Sequence, residues 1–448
     1  MRIHFQSAKR ESRKNPGIRL GLIGLGTVGT GTLGVLREHE REIERRLGAP
    51  LEVRVVCSRR VHRKDLSWFG RPVERTRDWR RVVRNPEVDI VIELVGEART
   101  AKAIAFETLA AGKHLVTANK QLVAEHGLEL AESARARRVM LGIEACVAGG
   151  LPILHAIRQG LAGEHFSAVF GILNGTTNYI LTEMEQRGAT FAEALAGAQQ
   201  KGYAEPDPAF DIQGYDARYK IAILAMICFG QAVRVEKIPV EGIQRIEQVD
   251  FAYARQLRRT IRLIAEARRD ARGRLGIAVR PMMIPVSSAL GRVHGSVNGI
   301  LLVGSKGGVT SFTGRGAGAE PTGVAVVSDV VEIARRIVAG GKSATPLGYA
   351  RWRRARLAPA GAGDVATYLR LVVRDQPGIL GRVSAILGRH RINIDSVLQE
   401  PGMPPRRLPF VMTLEPTRAS RVHQAVEEIA RLPFLAAAPL IMPFAELP

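Results

Sequence analysis

IRLGLIGLGTVG, residues 18–29, is the stretch that decides the fold of the first part of this 448-residue chain. Its apolar start predicts a buried strand at residues 18–24, and a helical run follows over residues 27–47. Between them lie Gly24, Gly26 and Gly29, with the spacing G-x-G-x-x-G. The motif alone is weak evidence, but between a strand and a helix it is typical of a dinucleotide-binding turn. The alternative is a glycine-rich turn without a ligand.

The residues around this turn bear on the cofactor. The second glycine lets the backbone approach a pyrophosphate, and the free amides at the helix start, at Thr27 and Val28, stabilise the phosphates. A second strand is expected at residues 51–57. NAD enzymes usually carry an acid after it for the ribose hydroxyls, whereas this chain has Arg59 and Arg60, which can pair with a 2′-phosphate. We therefore expect NADP(H) in preference to NAD(H), with simple surface charge as the alternative for the arginines.

Strands and helices continue to alternate up to about residue 150. The further elements are strands at residues 88–95, 114–118 and 138–144 and a helix at residues 100–111. This alternation predicts a parallel sheet with helices on both faces, and the apolar strands suit burial on both sides. The sequence therefore predicts an α/β fold that begins with a Rossmann-type domain.

The pattern changes from about residue 151. Strands are expected at residues 165–173, 275–285 and 297–303, and helices at residues 178–187, 190–201, 214–230 and 248–269. Such runs, which do not alternate simply, predict an α+β domain whose one sheet is covered by helices. Residues 304–318 are rich in Gly, Ser and Thr, and a helix is expected from Pro321 to about residue 338.

The last segment has the order βαββαβ, which predicts a small ferredoxin-like domain. Its strands are expected at residues 368–373, 392–399, 408–416 and 436–443, and its helices end near residues 389 and 431. The predicted organisation is a disordered basic arm (1–16), a Rossmann domain (17–150 plus 319–345), a catalytic and dimerisation domain (151–318), a linker (346–365) and the C-terminal domain (366–448).

Composition excludes several classes of protein. With 46% apolar and 24% charged residues, the chain has the composition of a soluble globular protein, and no apolar run reaches the roughly 18 residues of a membrane span. Its start lacks the apolar core of a secretory signal. Cys57, Cys146 and Cys228 lack metal-ligand spacing, which predicts buried thiols in a reducing cytoplasm. The net charge of +22 is spread along the chain and aromatics are only 5%, so no specific nucleic acid is expected.

Residues 201–220, KGYAEPDPAFDIQGYDARYK, concentrate charge in one short segment. Asp216 and Lys220 are four residues apart and share one face of a predicted helix. Such a pair is most often a surface ion pair. Here the helix continues as IAILAMICF, which indicates burial, and a buried charged pair is costly unless it has a task. Lys220 is therefore a candidate proton donor in a hydride transfer. It would give a proton to the carbonyl oxygen while the hydride arrives at the carbonyl carbon.

Two further polar segments follow predicted strands. Thr117-Ala118-Asn119-Lys120 comes after the fourth strand, where ligands gather in doubly wound folds, so Lys120 can reach a substrate carbonyl or carboxylate. Asn174-Gly175-Thr176-Thr177-Asn178-Tyr179 begins a helix, and its side chains and amides can bind a carboxylate or simply cap the helix.

Together these motifs resemble the homoserine dehydrogenase family over nearly the whole chain. The stretches that carry the resemblance are GLIGLGTVG (21–29), TANK (117–120), EACVAGGLPIL (144–154), NGTTNYIL (174–181), residues 201–220 and GRGAGAEPTGVAVVSD (314–329). The C-terminal segment, with DQPGILGRVSAIL and INIDSV, is similar to an ACT domain. The resemblance implies the monofunctional form, without an aspartate-kinase segment.

The resemblance implies reversible NAD(P)H-dependent reduction of L-aspartate 4-semialdehyde to L-homoserine, in the biosynthesis of threonine, methionine and isoleucine. It implies that Lys220 is the general acid/base, Lys120 a second catalytic lysine and Asp216 the residue supporting Lys220. The substrate amine would be held by Glu205 and Asp211, and the substrate carboxylate by the Thr176–Thr177 loop. Cofactor contacts would also come from Lys120 and, over the nicotinamide, from Gly316 and Gly318.

The resemblance also implies a sodium ion and an effector. The ion would be bound by main-chain carbonyls of Glu144, Val147, Gly149 and Leu151, oxygens of the kind hard cations prefer. The ACT domain would bind an amino acid, threonine in particular, with Gly378 and Asn393 as candidate contacts, or it would only dimerise the chain. A homodimer or homotetramer is expected.

Two alternative functions can be weighed against the sequence. A dehydrogenase that works through a nucleophilic cysteine is disfavoured, because none lies at a strand-to-helix turn and the one candidate, Cys146, lies in the predicted cation turn. The other rival is an amino-acid-sensing regulator, in which an ACT module is joined to an inactive Rossmann body whose basic charge binds DNA. Intact lysines and carboxylates, and the lack of a recognisable helix-turn-helix, argue against it.

Overall fold

The structure, a computed structural model, describes residues 17–341, 346–359, 363–400 and 402–447. The predicted arm at residues 1–16 lies outside the described residues. The chain divides into two compact units. The first contains the residues up to Asn119, Glu129–Ala145 and Thr322–Leu347, and the second contains Lys120–Leu128, Cys146–Pro321 and Gly348–Pro448.

The first unit is built on a parallel sheet of six strands. They are β1 (Ile18–Ile23), β2 (Leu51–Cys57), β3 (Glu74–Thr76), β4 (Ile90–Glu93), β5 (His114–Thr117) and β6 (Leu141–Gly142). Their spatial order is β3-β2-β1-β4-β5-β6, the doubly wound order of dinucleotide-binding domains. Because Ile23 pairs with both Cys57 and Glu93, the carboxyl ends of β1, β2 and β4 share one edge of the sheet. The predicted Rossmann-type fold is confirmed.

The helices in this part of the chain are α1 (Thr27–Glu38), α2 (Glu40–Leu47), α3 (Trp79–Arg84), α4 (Ala98–Ala110) and α5 (Lys120–Arg137). The single helix expected at residues 27–47 was wrong. At His39 the backbone leaves the helical region, with φ of −102° and ψ of 12°, so α1 ends and α2 begins there. The strand β3 and the helices α3 and α5 were not anticipated from the sequence.

The second unit contains a five-stranded antiparallel sheet. Its strands are β7 (Phe166–Ile172), β9 (Arg259–Arg269), β10 (Leu275–Pro285), β11 (Val297–Gly304) and β12 (Val309–Arg315), in the order β10-β9-β7-β11-β12. A short strand β8 (Gln231–Ala232) lies apart from this sheet. The helix expected at residues 248–269 was wrong beyond Gln256. Residues 259–269 form β9 instead, because this segment is buried between β10 and β7 and tertiary pairing overrides its helical composition.

The helices of the middle region are α6 (Ile153–His155), α7 (Gly175–Arg187), α8 (Phe191–Gln200), α9 (Ala209–Ile212), α10 (Tyr215–Phe229), α11 (Gln248–Gln256) and α12 (Ala319–Val338). From Thr322 onward α12 belongs to the first unit. Within the described part of the chain, every helix is too short or too polar to cross a membrane.

The C-terminal segment forms a βαββαβ module within the second unit, as predicted. After the short strand β13 (Arg353–Arg354), which pairs with β8, its elements are β14 (Asp364–Val373), α13 (Ile379–Arg389), β15 (Ile394–Leu398), β16 (Leu408–Arg418), α14 (Ala419–Ile429) and β17 (Leu435–Pro443). The four strands form an antiparallel sheet in the order β15-β16-β14-β17. A buried apolar core, including Leu371 and Val383, joins this sheet to its two helices.

A buried polar contact ties this module to the rest of the second unit. The Tyr368 hydroxyl on β14 donates to Asp250 Oδ1 on α11 at 2.7 Å, and Arg370 Nη1 lies 3.1 Å from Asp250 Oδ2. The Asp250 carboxylate is fully buried. Because an unpaired buried charge is strongly destabilising, this contact fixes α11 against the module.

Candidate active site

Helix α10 brings two charged side chains into the interior of the second unit. Gly214, in the left-handed region with φ of 85°, starts the helix, and 13 of its 15 residues are buried. Asp216 and Lys220 are among these buried residues, one helical turn apart. The prediction that this helix is buried is confirmed.

Asp216 holds two lysines, one on each carboxylate oxygen. Lys120 Nζ lies 2.7 Å from Oδ1, and Lys220 Nζ lies 2.7 Å from Oδ2. Lys220 also donates to the carbonyl oxygen of Leu173 at 2.7 Å. The Lys220 side chain is 11% exposed and that of Lys120 is 36% exposed. The sequence therefore named three residues that the fold brings into direct contact.

These contacts determine the charge of the cluster. Burial opposes the ionised form of Asp216, but the charges of Lys220 and Lys120 outweigh it and hold the pKa of Asp216 well below its usual range. Burial likewise opposes the charge of Lys120, but Asp216 outweighs it, so the pKa of Lys120 is raised. At neutral pH the cluster therefore holds an ionised carboxylate beside an ammonium group that can donate a proton or stabilise negative charge.

A second carboxylate, Asp211, lies beside this cluster. Asn174 Nδ2 donates to Asp211 Oδ1 at 2.8 Å and to Asp216 Oδ2 at 3.0 Å. Thr176 Oγ1 lies 3.1 Å from Asp211 Oδ2 and 2.7 Å from the Tyr203 carbonyl oxygen. Burial and the charge of Asp216 raise the pKa of Asp211, and the hydrogen bonds from Asn174 and Thr176 oppose this shift.

The other residues named from the sequence in this region lie differently. Glu205 is exposed, and its carboxylate makes no hydrogen bond or ion pair with the described residues. Thr177 is 1% exposed, and its hydroxyl bonds to Asn174 within the cap of α7. Asp207, an acid of the same segment without an assigned role, accepts from the Ala209 N–H through Oδ1 at 3.1 Å, a local turn contact.

Two side chains at the site were not named as site residues from the sequence. Asn174 is the N-cap of α7, because its Oδ1 accepts from the Thr177 N–H at 2.8 Å, and its amide reaches both aspartates. Phe210 places its ring 5.6 Å from Lys120 Nζ and 5.9 Å from the ring of Tyr219. An Asn between a strand and a helix is a sequence pattern that predicts an N-cap. The sequence around Phe210, in contrast, contains no pattern that predicts its contact with Lys120.

The glycine turn of the first unit has the geometry that its motif requires. Gly24 is left-handed, with φ of 107°. A Cβ at Gly29 would lie 2.0 Å from the Gly24 carbonyl oxygen, so only glycine allows this contact. A Cβ at Gly26 would meet nothing within 4 Å, which leaves open space at the start of α1. The amides at Thr27 and Val28 begin this helix, so the turn fits a pyrophosphate.

The end of β2 carries the two arginines predicted to favour NADP(H). Arg59 and Arg60 follow Cys57 and Ser58 and are exposed. Burial raises the pKa of the Cys57 thiol to about 11, so this group is not a reactive thiolate. Cys146 and Cys228 are also buried, as the sequence predicted, and neither forms a disulfide bond with another described residue.

A closed ring of hydrogen bonds joins the carboxyl ends of β4 and β5 in the first unit. Glu93 Oε2 accepts from the Thr117 hydroxyl at 2.6 Å, and Glu93 Oε1 accepts from the Val95 N–H at 2.5 Å. Thr117 Oγ1 accepts from the Asn119 N–H at 3.0 Å, and Asn119 Nδ2 donates to the Val95 carbonyl at 3.0 Å. The ring therefore fixes the backbone of the first unit up to Asn119, the residue that precedes Lys120 in the chain.

We expect Glu93→Gln to change how stability depends on pH. Burial raises the pKa of Glu93 to about 7, so the folded state binds its proton more tightly than the unfolded state does. Wild-type stability should therefore fall as the pH rises from about 4.5 to 7, by up to about 3 kcal/mol. In Glu93→Gln this fall should be absent.

Urea unfolding at several pH values between 4.5 and 8 measures the difference between the two proteins. Glu132→Gln, at an exposed carboxylate of the same unit, serves as the control. Parallel stability curves for wild type and Glu93→Gln would contradict the assignment of this titration to Glu93.

The turn predicted to hold a cation can be tested against its own backbone. Ala148 is left-handed, with φ of 46°, and the carbonyl oxygens of Val147 and Gly149 accept no hydrogen bond from the described residues. Leu151 has its carbonyl oxygen 2.8 Å from the Ile153 nitrogen, which donates to it. In the first unit, the Glu144 N–H donates to Asp329 Oδ2 at 2.8 Å. Buried carbonyl oxygens with free lone pairs fit a hard cation.

The GRGAG loop packs closely in the second unit. The Gly316 carbonyl accepts from the Gly149 N–H at 2.9 Å. A Cβ at Gly316 would lie 2.0 Å from Asn298 Oδ1, so the buried Asn298 amide excludes a side chain there. Gly318 has φ of 131°, a conformation that favours glycine.

The two candidate effector contacts lie at opposite ends of the C-terminal sheet. Gly378, with φ of 87°, follows the end of β14 and begins α13. Asn393 precedes β15, whose first residue lies beside Leu414 and hence beside Thr367 near the start of β14. About 20 Å of strand separates these ends. One small amino acid therefore cannot contact both residues within a single module.

Comparisons with known proteins address the whole chain. Residues 24–144 match the family model described as homoserine dehydrogenase, NAD binding domain, and residues 152–331 match the model described as homoserine dehydrogenase. Residues 367–434 match the ACT domain model. The chain belongs to the homoserine dehydrogenase family. It is therefore an oxidoreductase with a nicotinamide-dinucleotide-binding domain, and the predicted ACT domain is confirmed.

Individual homoserine dehydrogenases match over nearly their full length. The chain is 37% identical to the enzyme of Pseudomonas aeruginosa over 421 residues, which is 93% of this chain and 96% of the relative. It is 36% identical to that of Corynebacterium glutamicum over 443 residues, 94% of this chain and 97% of the relative. The solved homoserine dehydrogenase of Thiobacillus denitrificans is 37% identical, covers 97% of this chain and 99% of its own, and has a TM-score of 0.90.

Membership of the homoserine dehydrogenase family weighs against the regulatory alternative. The family models cover both the dinucleotide-binding and the catalytic regions. The second of these regions contains Asp211, Asp216 and Lys220, which lie together in the fold.

Proposed function

We propose that this chain reduces L-aspartate 4-semialdehyde to L-homoserine, reversibly and with NADPH, in the biosynthesis of threonine, methionine and isoleucine. The observation that carries the proposal is the buried carboxylate of Asp216 with a lysine ammonium 2.7 Å from each oxygen. A buried ion pair of this kind is costly if it serves only the stability of the fold. The reaction of the homoserine dehydrogenase family would give this pair a catalytic role.

In this proposal Lys220 is the general acid/base. As hydride reaches the aldehyde carbon, Lys220 gives a proton from Nζ to the carbonyl oxygen, which becomes the hydroxyl of homoserine. Lys120 is the second catalytic lysine, and its ammonium stabilises the developing negative charge on the oxygen. Asp216 keeps both lysines in place. In the reverse direction a neutral Lys220 accepts the hydroxyl proton.

The substrate's own charges are matched by the residues around Asp211. The Asp211 and Glu205 carboxylates bind the amine, and the α7 start at Thr176–Thr177 lies against the substrate carboxylate, where helix amides favour an anion. Asp211 lies in the buried network, while Glu205 is exposed. We therefore assign Asp211 the larger part of amine binding.

The proposed cofactor is NADP(H). When bound, it supplies the hydride. Gly24, Gly26 and Gly29, with the amides of Thr27 and Val28, hold the pyrophosphate, and Arg59 and Arg60 pair with the 2′-phosphate. Lys120, Gly316 and Gly318 contribute on the nicotinamide side.

Replacing Arg59 and Arg60 together by Ala is expected to reverse the cofactor preference. Loss of two charge-assisted contacts to a phosphate should raise KM for NADPH by ten-fold or more and leave KM for NADH within about two-fold. Initial rates at varied NADPH and NADH measure both values. An exposed pair on α2, Arg45 and Arg46, provides the matched control. Equal changes in KM for NADPH and for NADH would contradict a role for Arg59 and Arg60 in binding the 2′-phosphate.

The proposed cation is sodium, held by main-chain carbonyls of Glu144, Val147, Gly149 and Leu151. The carbonyl oxygens of Val147 and Gly149, which accept no hydrogen bond from any residue that the structure describes, support it. The ion would supply positive charge that stabilises this turn, and it takes no part in proton transfer.

Regulation and assembly form the last part of the proposal. The ACT domain would bind threonine, with Gly378 and Asn393 as contacts. Because these residues lie at opposite ends of the module, a shared effector would lie between two copies, which fits a homodimer or homotetramer. We place the enzyme in the cytoplasm and expect no specific nucleic-acid partner.

Initial rates test this function directly. NADPH consumption with L-aspartate 4-semialdehyde is expected to exceed NADH consumption and to fall when threonine is added. A wild-type protein that lacks turnover but binds DNA, with affinity falling steeply as salt rises, would instead favour the regulatory alternative.

A further inference from the structure

Within the part of the chain that the structure describes, the amide of Asn174 is the one hydrogen-bond donor that contacts both aspartates of the site. It donates to Asp211 Oδ1 at 2.8 Å and to Asp216 Oδ2 at 3.0 Å, and the residue is 5% exposed. We propose that Asn174 is a positioning residue that holds Asp211 and Asp216 ionised side by side, so that one binds the substrate amine while the other holds the lysines. The proposal rests on the proposed function and adds a residue to it.

The orientation of this amide follows from the chemistry of its partners. The Thr177 N–H can only donate, and it donates to Asn174 Oδ1 at 2.8 Å. The two ionised carboxylates can only accept. The amide oxygen must therefore point to the helix and the NH₂ group to the aspartates. The helix cap and the carboxylate bridge are two separate functions of one side chain.

The bridge counters a repulsion that the fold itself creates. Burial and the charge of Asp216 both disfavour ionised Asp211, and hydrogen bonds from Asn174 and Thr176 favour it. The charged groups that face Asp211 are Asp216 and Lys220 from α10 and Lys120 from the start of α5. Since both lysines contact Asp216, the full hydrogen bond at Asp211 comes from the neutral amide of Asn174 at 2.8 Å. The single hydroxyl proton of Thr176 is shared between Asp211 Oδ2 at 3.1 Å and the Tyr203 carbonyl oxygen at 2.7 Å.

No other residue type combines the two functions at this position. Ser caps a helix as well as Asn does, but it has one donor and cannot reach two carboxylates. Asp caps equally well and has the same shape, but it would add a third carboxylate to the pair. Asn174→Ser therefore keeps the helix cap and removes the hydrogen bonds to the two aspartates. Asn174→Asp keeps the helix cap and places a carboxylate where the amide had donated those hydrogen bonds.

The test measures the pH profile of kcat/KM for homoserine oxidation by wild type, Asn174→Ser and Asn174→Asp. Asp211 must be ionised to bind the amine, so activity falls as the pH falls through its pKa. In Asn174→Ser we expect this acidic limb to move up by about one pH unit and KM at neutral pH to rise about ten-fold, with a smaller change in kcat. Asn174→Asp should move the limb further in the same direction. Thr190→Ser, at the N-cap of α8 and outside the candidate site, is the control.

A second readout does not depend on activity. A carboxyl whose pKa is raised on folding makes stability fall as the pH rises from about 4 to that pKa. This fall should extend to higher pH in Asn174→Ser, and Asp211→Asn in the same background should abolish the extension. Acidic limbs and unfolding profiles identical to wild type in both variants would overturn the proposal. If the wild type lacked dehydrogenase activity, the proposed function would fail and the unfolding profiles would still decide the role of Asn174.

Discussion

Replacing Asp216 by Asn is expected to weaken the folded state and nearly abolish turnover at the same time. The carboxylate is 4% exposed and contacts two ammonium groups at 2.7 Å. Asn at this position leaves the buried Lys220 without a counter-charge, a change that typically costs about 3–5 kcal/mol. We expect a loss in this range at pH 7 and a fall in kcat of at least about 100-fold, because both lysines lose the carboxylate that positions them.

The stability lost in Asp216→Asn should depend on pH. The pKa of Asp216 is held well below its usual range in the folded state. Its contribution to stability is therefore fully present at pH values above about 4 and is lost as the pH falls below that. Urea unfolding at pH 7 and pH 3 should show a large difference between wild type and Asp216→Asn at pH 7 and a smaller one at pH 3. Asp207→Asn, at an exposed acid of the same segment, is the control.

The second large effect is expected for Lys220→Met. Methionine retains most of the side-chain length and removes the proton donor, while Asp216 keeps its contact with Lys120. General acid catalysis contributes about 10²- to 10⁴-fold, so kcat should fall by that amount while NADPH affinity stays within about two-fold of wild type. Stopped-flow rates and NADPH fluorescence titration measure the two quantities. Lys201→Met, at an exposed lysine that lies over the Tyr179 ring, should leave both unchanged.

Lys220→Arg separates proton transfer from charge. Arginine restores the positive charge beside Asp216 but does not give up its proton at accessible pH. We expect its stability to lie closer to that of wild type than the stability of Lys220→Met does, with turnover still severely reduced. Turnover within a few-fold of wild type in either variant would mean that another group donates the proton.

Local patterns were sufficient to predict those parts of the fold whose signals are confined to one segment. The strand at Ile18–Ile23, its glycine turn and the start of α1 follow from apolar residues and glycine spacing within 12 residues. The buried α10 follows from one apolar run, and the C-terminal module from its own order of elements. Each of these segments contains the information that specifies it.

The strand β9 could not be predicted in this way. RTIRLIAEARR contains residues that favour helices, and only its position between β10 and β7 makes it a strand. The contacts of the candidate site have the same origin. Lys120 and Asp216 are 96 positions apart in sequence, and the acceptor for Lys220 at Leu173 is a main-chain oxygen, which no side-chain pattern records.

The contact of Asn174 with both aspartates could not be predicted from the sequence, for a related reason. Its position at the start of a helix predicts a cap, and the cap is present. Whether its remaining amide hydrogens reach solvent or carboxylates depends on where α9 and α10 place Asp211 and Asp216. Local sequence therefore identified the chemistry available at the site, and tertiary structure determined which groups share it.

The most direct test of the proposed reaction follows the hydride itself. NADPH carrying deuterium at both C4 positions of the nicotinamide ring is supplied with L-aspartate 4-semialdehyde, and the product is analysed by mass spectrometry and NMR. The account predicts L-homoserine with one deuterium at C4 for every NADPH oxidised by the wild type, and a rate at least about 100-fold lower with Lys220→Met. Absence of NADPH oxidation by the wild type, or homoserine without deuterium at C4, would contradict it.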